Sequence, residues 1–94
     1  MSVGLTVEQR YYERGYSIAR EDICNRIACR VENINENVVL QRLGLDYSGA
    51  EARAILRDSA ERTARNGEHF DGSNLLEIAR AAALRGYREA LRAV

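Results

Sequence analysis

Proline, tryptophan and lysine are absent from this 94-residue chain, and phenylalanine, histidine and methionine occur once each. Without proline nothing forces a helix to break, and the strong helix formers alanine, leucine, arginine and glutamate dominate. No apolar stretch approaches the roughly 20 residues that a helix needs to cross a bilayer. Acidic and basic residues cancel to a net charge of zero, so no long-range field steers the chain to nucleic acid or a membrane surface. The same balance removes repulsion between copies and favours self-association. Met1 to Thr6 lack the basic region and apolar run of a signal peptide, which predicts a cytoplasmic protein with reduced thiols. Cys24 and Cys29 diverge by about 140° on a helix and cannot bridge while that helix is intact.

Catalytic patterns are missing too. There is no phosphate-binding glycine loop, dinucleotide fingerprint, nucleophile elbow or pair of catalytic carboxylates. The cysteines match neither CxxC nor a zinc spacing. His69, with Glu68 and Asp71 beside it, is the one place where an acid, a base and a metal ligand converge, and no further ligand or nucleophile stands at a useful spacing. The expectation is a protein that is not an enzyme and takes no cofactor or metal.

What is present is helical periodicity. Thr6 to Gln9 reads as a capping box, and the first helix is predicted from there to about Glu32, with Tyr12, Tyr16, Ala19, Ile23 and Ile27 as its core stripe. A short second helix runs from Val38 to Leu43 and stops at Gly44. Ser48 and Glu51 frame a second capping box that opens a third helix, ending at Asn66, with Ala52, Ile55, Leu56, Ser59 and Thr63 inward. Ser73 caps a fourth helix, Asn74 to about Ala93, burying Leu75, Leu76, Ala79, Ala82, Ala83, Gly86, Tyr87, Ala90 and Val94. Residues 1–94 thus form a single domain, a small helical bundle of three long helices and one short helix. A first helix of about 26 residues would span roughly 39 Å. A compact chain of this size measures only about 32 Å across, which predicts either an elongated molecule or an overhang packed on another copy.

Three surface features stand out. Val7, Tyr11 and Ile18 form an apolar line nearly opposite the predicted core stripe, with Cys29 continuing it, and such a line marks a protein interface. The string RGYxxA occurs twice, at Arg14 to Ala19 and at Arg85 to Ala90, and predicts that the first and fourth helices cross at Gly15 and Gly86 with Tyr16 and Tyr87 flanking. Arg85, Arg88 and Arg92 form a stripe on the fourth helix and Arg26 and Arg30 a pair on the first. Such guanidiniums can hold an anion or an acidic partner, and they also complement a helix C-terminus.

Short, helical, lysine-free and without catalytic motifs, the chain is similar in type to small accessory proteins of phages and other mobile elements, which would make it an inhibitor. The leading expectation is a small regulatory protein that binds a protein partner, itself a homo-oligomer. The alternative is a binder of a nucleotide or nucleic acid, with arginines on the phosphates and Tyr11, Tyr12 or Tyr16 stacked on bases.

Overall fold

The computed structural model describes residues 3–25, 34–66 and 72–93, with side chains at 7–25, 34–61 and 72–93. Within them lie four helices, α1 (Val3–Cys24), α2 (Glu36–Arg42), α3 (Ala50–Asn66) and α4 (Gly72–Arg92). The fold is an all-α bundle of three long helices and one short helix.

α1 begins ahead of Thr6, which is therefore helical rather than an N-cap; nothing in Val3-Gly4-Leu5 blocks a helix there. It ends at Cys24, with the Asn25 amide donating to the Glu21 carbonyl at 3.0 Å. The expected continuation toward Glu32, including Ile27 and Cys29, lies outside the described residues.

α2 is held at both ends. The Asn35 side chain accepts from the Val38 amide at its N-terminus. At its C-terminus Gly44 takes φ 72°, a conformation that costs glycine nothing. The Gly44 amide then donates to Gln41 and the Leu45 amide to Leu40, the paired bonds of a Schellman ending. The apolar contact that accompanies this ending is present as well, since Leu40 and Leu45 are buried in one cluster.

The reversal continues directly into α3, whose first-turn Ala52 amide donates to the Gly44 carbonyl at 2.9 Å. The predicted capping box at Ser48 and Glu51 takes another form. Ser48 Oγ donates to Asp46, while Glu51 is turned toward α1. α4 likewise starts slightly earlier than expected, with Ser73 inside it. Its buried face is Leu76, Ala79, Ala82, Ala83, Gly86, Tyr87 and Ala90, all expected from its periodicity; Leu75 is half-buried, and Val94, also expected inward, lies outside the described residues.

α4 is the central element, its backbone close to those of the other three helices. α3 returns antiparallel to it, Gly72 lying against Leu56 and Ser59 while Ala52 packs with Leu76 and Ala79. α1 runs parallel to α4. Near its start Val7 and Tyr11 pack with Leu76 and Ala79, in its middle Ala19 packs with Tyr87 and Ala90, and at its end Ile23 and Cys24 lie beside Ala90 and Ala93.

The closest contact is at the two glycines. A Cβ on Gly15 would fall 2.0 Å from the Ala83 carbonyl oxygen, and one on Gly86 would fall 2.1 Å from that of Tyr12. With a carbon–carbon bond of about 1.5 Å, each oxygen is within about 3.5 Å of the glycine Cα, the range of Cα–H···O contacts. The predicted crossing of the RGYxxA strings is therefore observed, and it has a local two-fold character.

The core stripe of α1 has to be corrected. Tyr11, Gly15, Ala19 and Asp22 are buried, while Val7, Tyr12, Tyr16, Ile18 and Ile23 are half-buried, Val7 and Tyr12 packed against one core cluster and Tyr16 and Ile18 against the other. Tyr11, the middle of the line Val7–Tyr11–Ile18, thus lies in the interior, with Val7 and Ile18 half-buried at the edge of the core. The physical reason is backbone approach: the glycine decides which side of α1 meets α4, and Gly15 lies on the Tyr11 side.

The molecule is elongated and thin, 47 × 27 × 18 Å with a radius of gyration of 14.3 Å, against about 12 Å for a compact chain of its length. At 22 residues α1 spans roughly 33 Å and fits within the long axis. Elongation accommodates the helix, so its length gives no argument for a second copy.

Candidate functional site

Turning Gly15 inward leaves the other side of α1 outward. Glu13, Ser17, Arg20 and Cys24 are exposed there, and Tyr12, Tyr16 and Ile23 recur at helical spacing along its border with the packed seam, half-buried. Tyr12, Glu13, Tyr16, Ser17 and Arg20 line an open groove of about 480 Å³. A smaller hollow of about 150 Å³ continues it, lined by Tyr16, Arg20, Ile23, Cys24, Ala90 and Ala93. Tyr16 and Arg20 belong to both, which makes one continuous face along α1 and the end of α4.

Its aromatic wall is held in place. The Tyr12 and Tyr16 rings lie 6.2 Å apart at 35°. Tyr12 donates its hydroxyl to Glu89, a bond that raises its pKa above the ordinary tyrosine value, and the Arg85 guanidinium sits over its ring at 5.2 Å. Arg85 in turn donates to Glu8 at 3.0 Å. Aromatic rings beside arginine are the composition that protein interfaces favour.

The residues expected to form an interface do something else. Tyr11, 2% exposed, donates to Glu51 Oε2 at 2.6 Å, and Arg14 pairs with the same oxygen at 3.2 Å. Burial, then the neighbouring carboxylate, pushes the Tyr11 hydroxyl up to about 12. The hydrogen bond from Tyr11, followed by the charge of Arg14, holds Glu51 below its usual range. This pair ties α3 to α1.

A buried charge ties down α2. Asp22 is 1% exposed and accepts both arms of the Arg42 fork, at 2.5 and 2.8 Å, plus the Tyr87 hydroxyl at 2.6 Å. Arg42 and Tyr87 hold its carboxyl below the ordinary value, against the opposing effect of burial. Three helices therefore converge on one carboxylate. The signal was its position: Asp22 falls on the same side of α1 as Tyr11 and Gly15.

The arginine stripe is largely engaged. Arg85 holds Glu8 and Arg88 donates to Glu36, while Arg92 is exposed. Arg26 and Arg30 lie outside the described residues, as do Glu68, His69 and Asp71. On the far side, Tyr47 donates to Glu77 at 2.8 Å and Arg80 covers its ring at 4.2 Å. Among the described residues no three histidine, cysteine, aspartate or glutamate side chains come together to hold a metal ion, and no helix is long and apolar enough to cross a membrane.

Comparison with protein families, with characterised proteins and with solved structures finds no match to this chain.

Proposed function

We propose that this chain is a non-enzymatic binding protein that engages a protein partner through the outward face of α1 and the end of α4. The observation that carries this reading is that the apolar stripe of α1 extends past the packed seam. Tyr12 and Tyr16 pack against the core with one part of their surface and, with the half-buried Ile23, line open hollows with the rest. Half-exposed aromatics in a line with arginine are the anchors by which proteins hold one another. An inhibitor or adaptor requires only such a surface. A cytoplasmic setting suits the free, exposed thiol of Cys24.

A phosphate-bearing ligand gains less support. Arg85 and Arg88 would have to release Glu8 and Glu36 before their forks could receive it.

Affinity capture from the native host tests the reading, with the wild-type chain, Tyr16→Glu, Ser17→Arg and the far-side variant Tyr47→Glu as baits. A partner retained by wild type and Tyr47→Glu but lost by both groove variants, each folded by circular dichroism, is the expected result. Identical captures by folded groove variants overturn it.

A further inference from the structure

The charges of the α1 face point to its occupant. Glu13 and Arg20 stand seven residues apart, two turns of the helix, on the same side. Among the described residues neither forms an ion pair, although Glu8, Arg14 and Asp22 on the same helix all do. Between them lie Tyr16 and Ser17, one large and one small. Read along α1, the face runs acid, aromatic ring, small hydroxyl, base.

That order is its own complement under a two-fold axis passing between Tyr16 and Ser17. Such an axis sets a second α1 antiparallel to the first, with Glu13 opposite the other copy's arginine 20 and the reverse pair on the far side of the axis. Because neighbouring helix residues diverge by about 100°, the same axis brings the two Tyr16 side chains together on one flank of the contact and the two small Ser17 side chains on the other. A parallel arrangement would set acid against acid and base against base, which is unfavourable. Two-fold interfaces require this kind of self-complementary patch. The zero net charge adds no long-range repulsion between copies.

We infer that the outward face of α1 binds a second copy of this chain, antiparallel, through two reciprocal Glu13–Arg20 pairs on either side of an axis that brings the two Tyr16 side chains together. This rests on the reading of that face as a protein-binding surface and names its occupant.

Charge reversal tests both the dimer and its direction by sedimentation equilibrium, with circular dichroism to verify folding. Wild type should approach the mass of two chains as concentration rises. Glu13→Arg and Arg20→Glu, each alone, should weaken association about tenfold or more, because both pairs become repulsive. An equimolar mixture of the two single variants should form a heterodimer, since every pair is then opposite in sign, and the double variant should again self-associate.

A one-chain mass for wild type at high micromolar concentration overturns the proposal. So does a dimer indifferent to the single reversals, or a mixture that fails to associate. If wild type is monomeric yet partner capture still depends on Tyr16, only the second copy is excluded as occupant. If neither responds to changes on this face, the binding reading falls with it.

Discussion

Gly15 and Gly86 are reciprocal: each faces the backbone carbonyl of the residue three positions before the other. Because α1 and α4 run parallel, the two RGYxxA strings lie side by side in register, and each supplies the glycine that the other's backbone enters. Ala19 and Ala90 hold corresponding places and are both buried. The repeat in the sequence is thus a packing device.

Alanine at either glycine should destabilise the protein, although alanine is the better helix former by about 1 kcal/mol. The added methyl would meet a backbone carbonyl at 2.0 or 2.1 Å, where neither partner can turn aside. Overpacking of this kind costs about 1–3 kcal/mol or more. Thermal melts of Gly15→Ala and Gly86→Ala should fall by at least roughly 4–8 °C. An increase in melting temperature would show that the helices are not in this contact.

Asp22→Asn should cost about 2–4 kcal/mol, since it leaves the Arg42 fork without its charge and Tyr87 with a poorer acceptor. The linkage sign follows from the lowered carboxyl pKa. A group depressed on folding stabilises above its unfolded value, here near 3.8, and that contribution is lost as pH falls through the folded value. Glu51 acts in the same direction. Denaturant midpoints should therefore be level above about pH 5 and decline below pH 4, and the decline should be shallower in Asp22→Asn.

Tyr11 gives the alkaline counterpart. Its hydroxyl is raised from 10.0 to about 12, so its contribution is complete below 10 and disappears as pH rises through the folded value. Ultraviolet titration of the phenolates should show Tyr11, Tyr12 and Tyr47 ionising above the ordinary tyrosine value, with loss of helix accompanying the phase that belongs to Tyr11. Tyr11→Phe should remove that late phase and cost about 1–2 kcal/mol at neutral pH. Tyr11→Glu should unfold the domain, whereas Ile23→Glu should leave a folded protein.

Arg85→Ala and Arg88→Ala should each change stability by less than about 1 kcal/mol, because exposed ion pairs contribute little. Nucleotides and oligonucleotides should leave the melting temperature of wild type unmoved. A salt-sensitive upward shift would restore the phosphate-binding alternative.

Much of the architecture was legible in the sequence. Gly44 announced the end of α2, Asn66 the end of α3, and the alanine spacing of α4 named its buried face. The inward side of α1 was misread because hydrophobicity was weighed ahead of backbone approach. Tyr12, Tyr16 and Ile23 look like a core, but Gly15 and Ala19 mark where another helix fits, and the neighbours of Gly15 on that side are Tyr11, Ile18 and Asp22. A buried aspartate on this line reads as polar until Arg42 and Tyr87, from two other helices, are known to reach it. The face proposed to bind a partner was hidden for the same reason, since its residues had already been assigned to the interior.

The buried alanines carry a last consequence. Ala19, Ala52, Ala79 and Ala83 are fully enclosed, and around them helices pack by closeness of backbone more than by bulk of side chain. Most domains are hurt by trimming a large core residue, which opens a cavity. Tyr11 and Tyr87 keep that liability along the α1–α4 seam, but at Ala19, Ala79 and Ala83 the sensitive direction is growth. Valine or leucine there would pry α1 from α4, and at Ala52 it would push α3 away, so tolerance at these four positions is set by a ceiling on size.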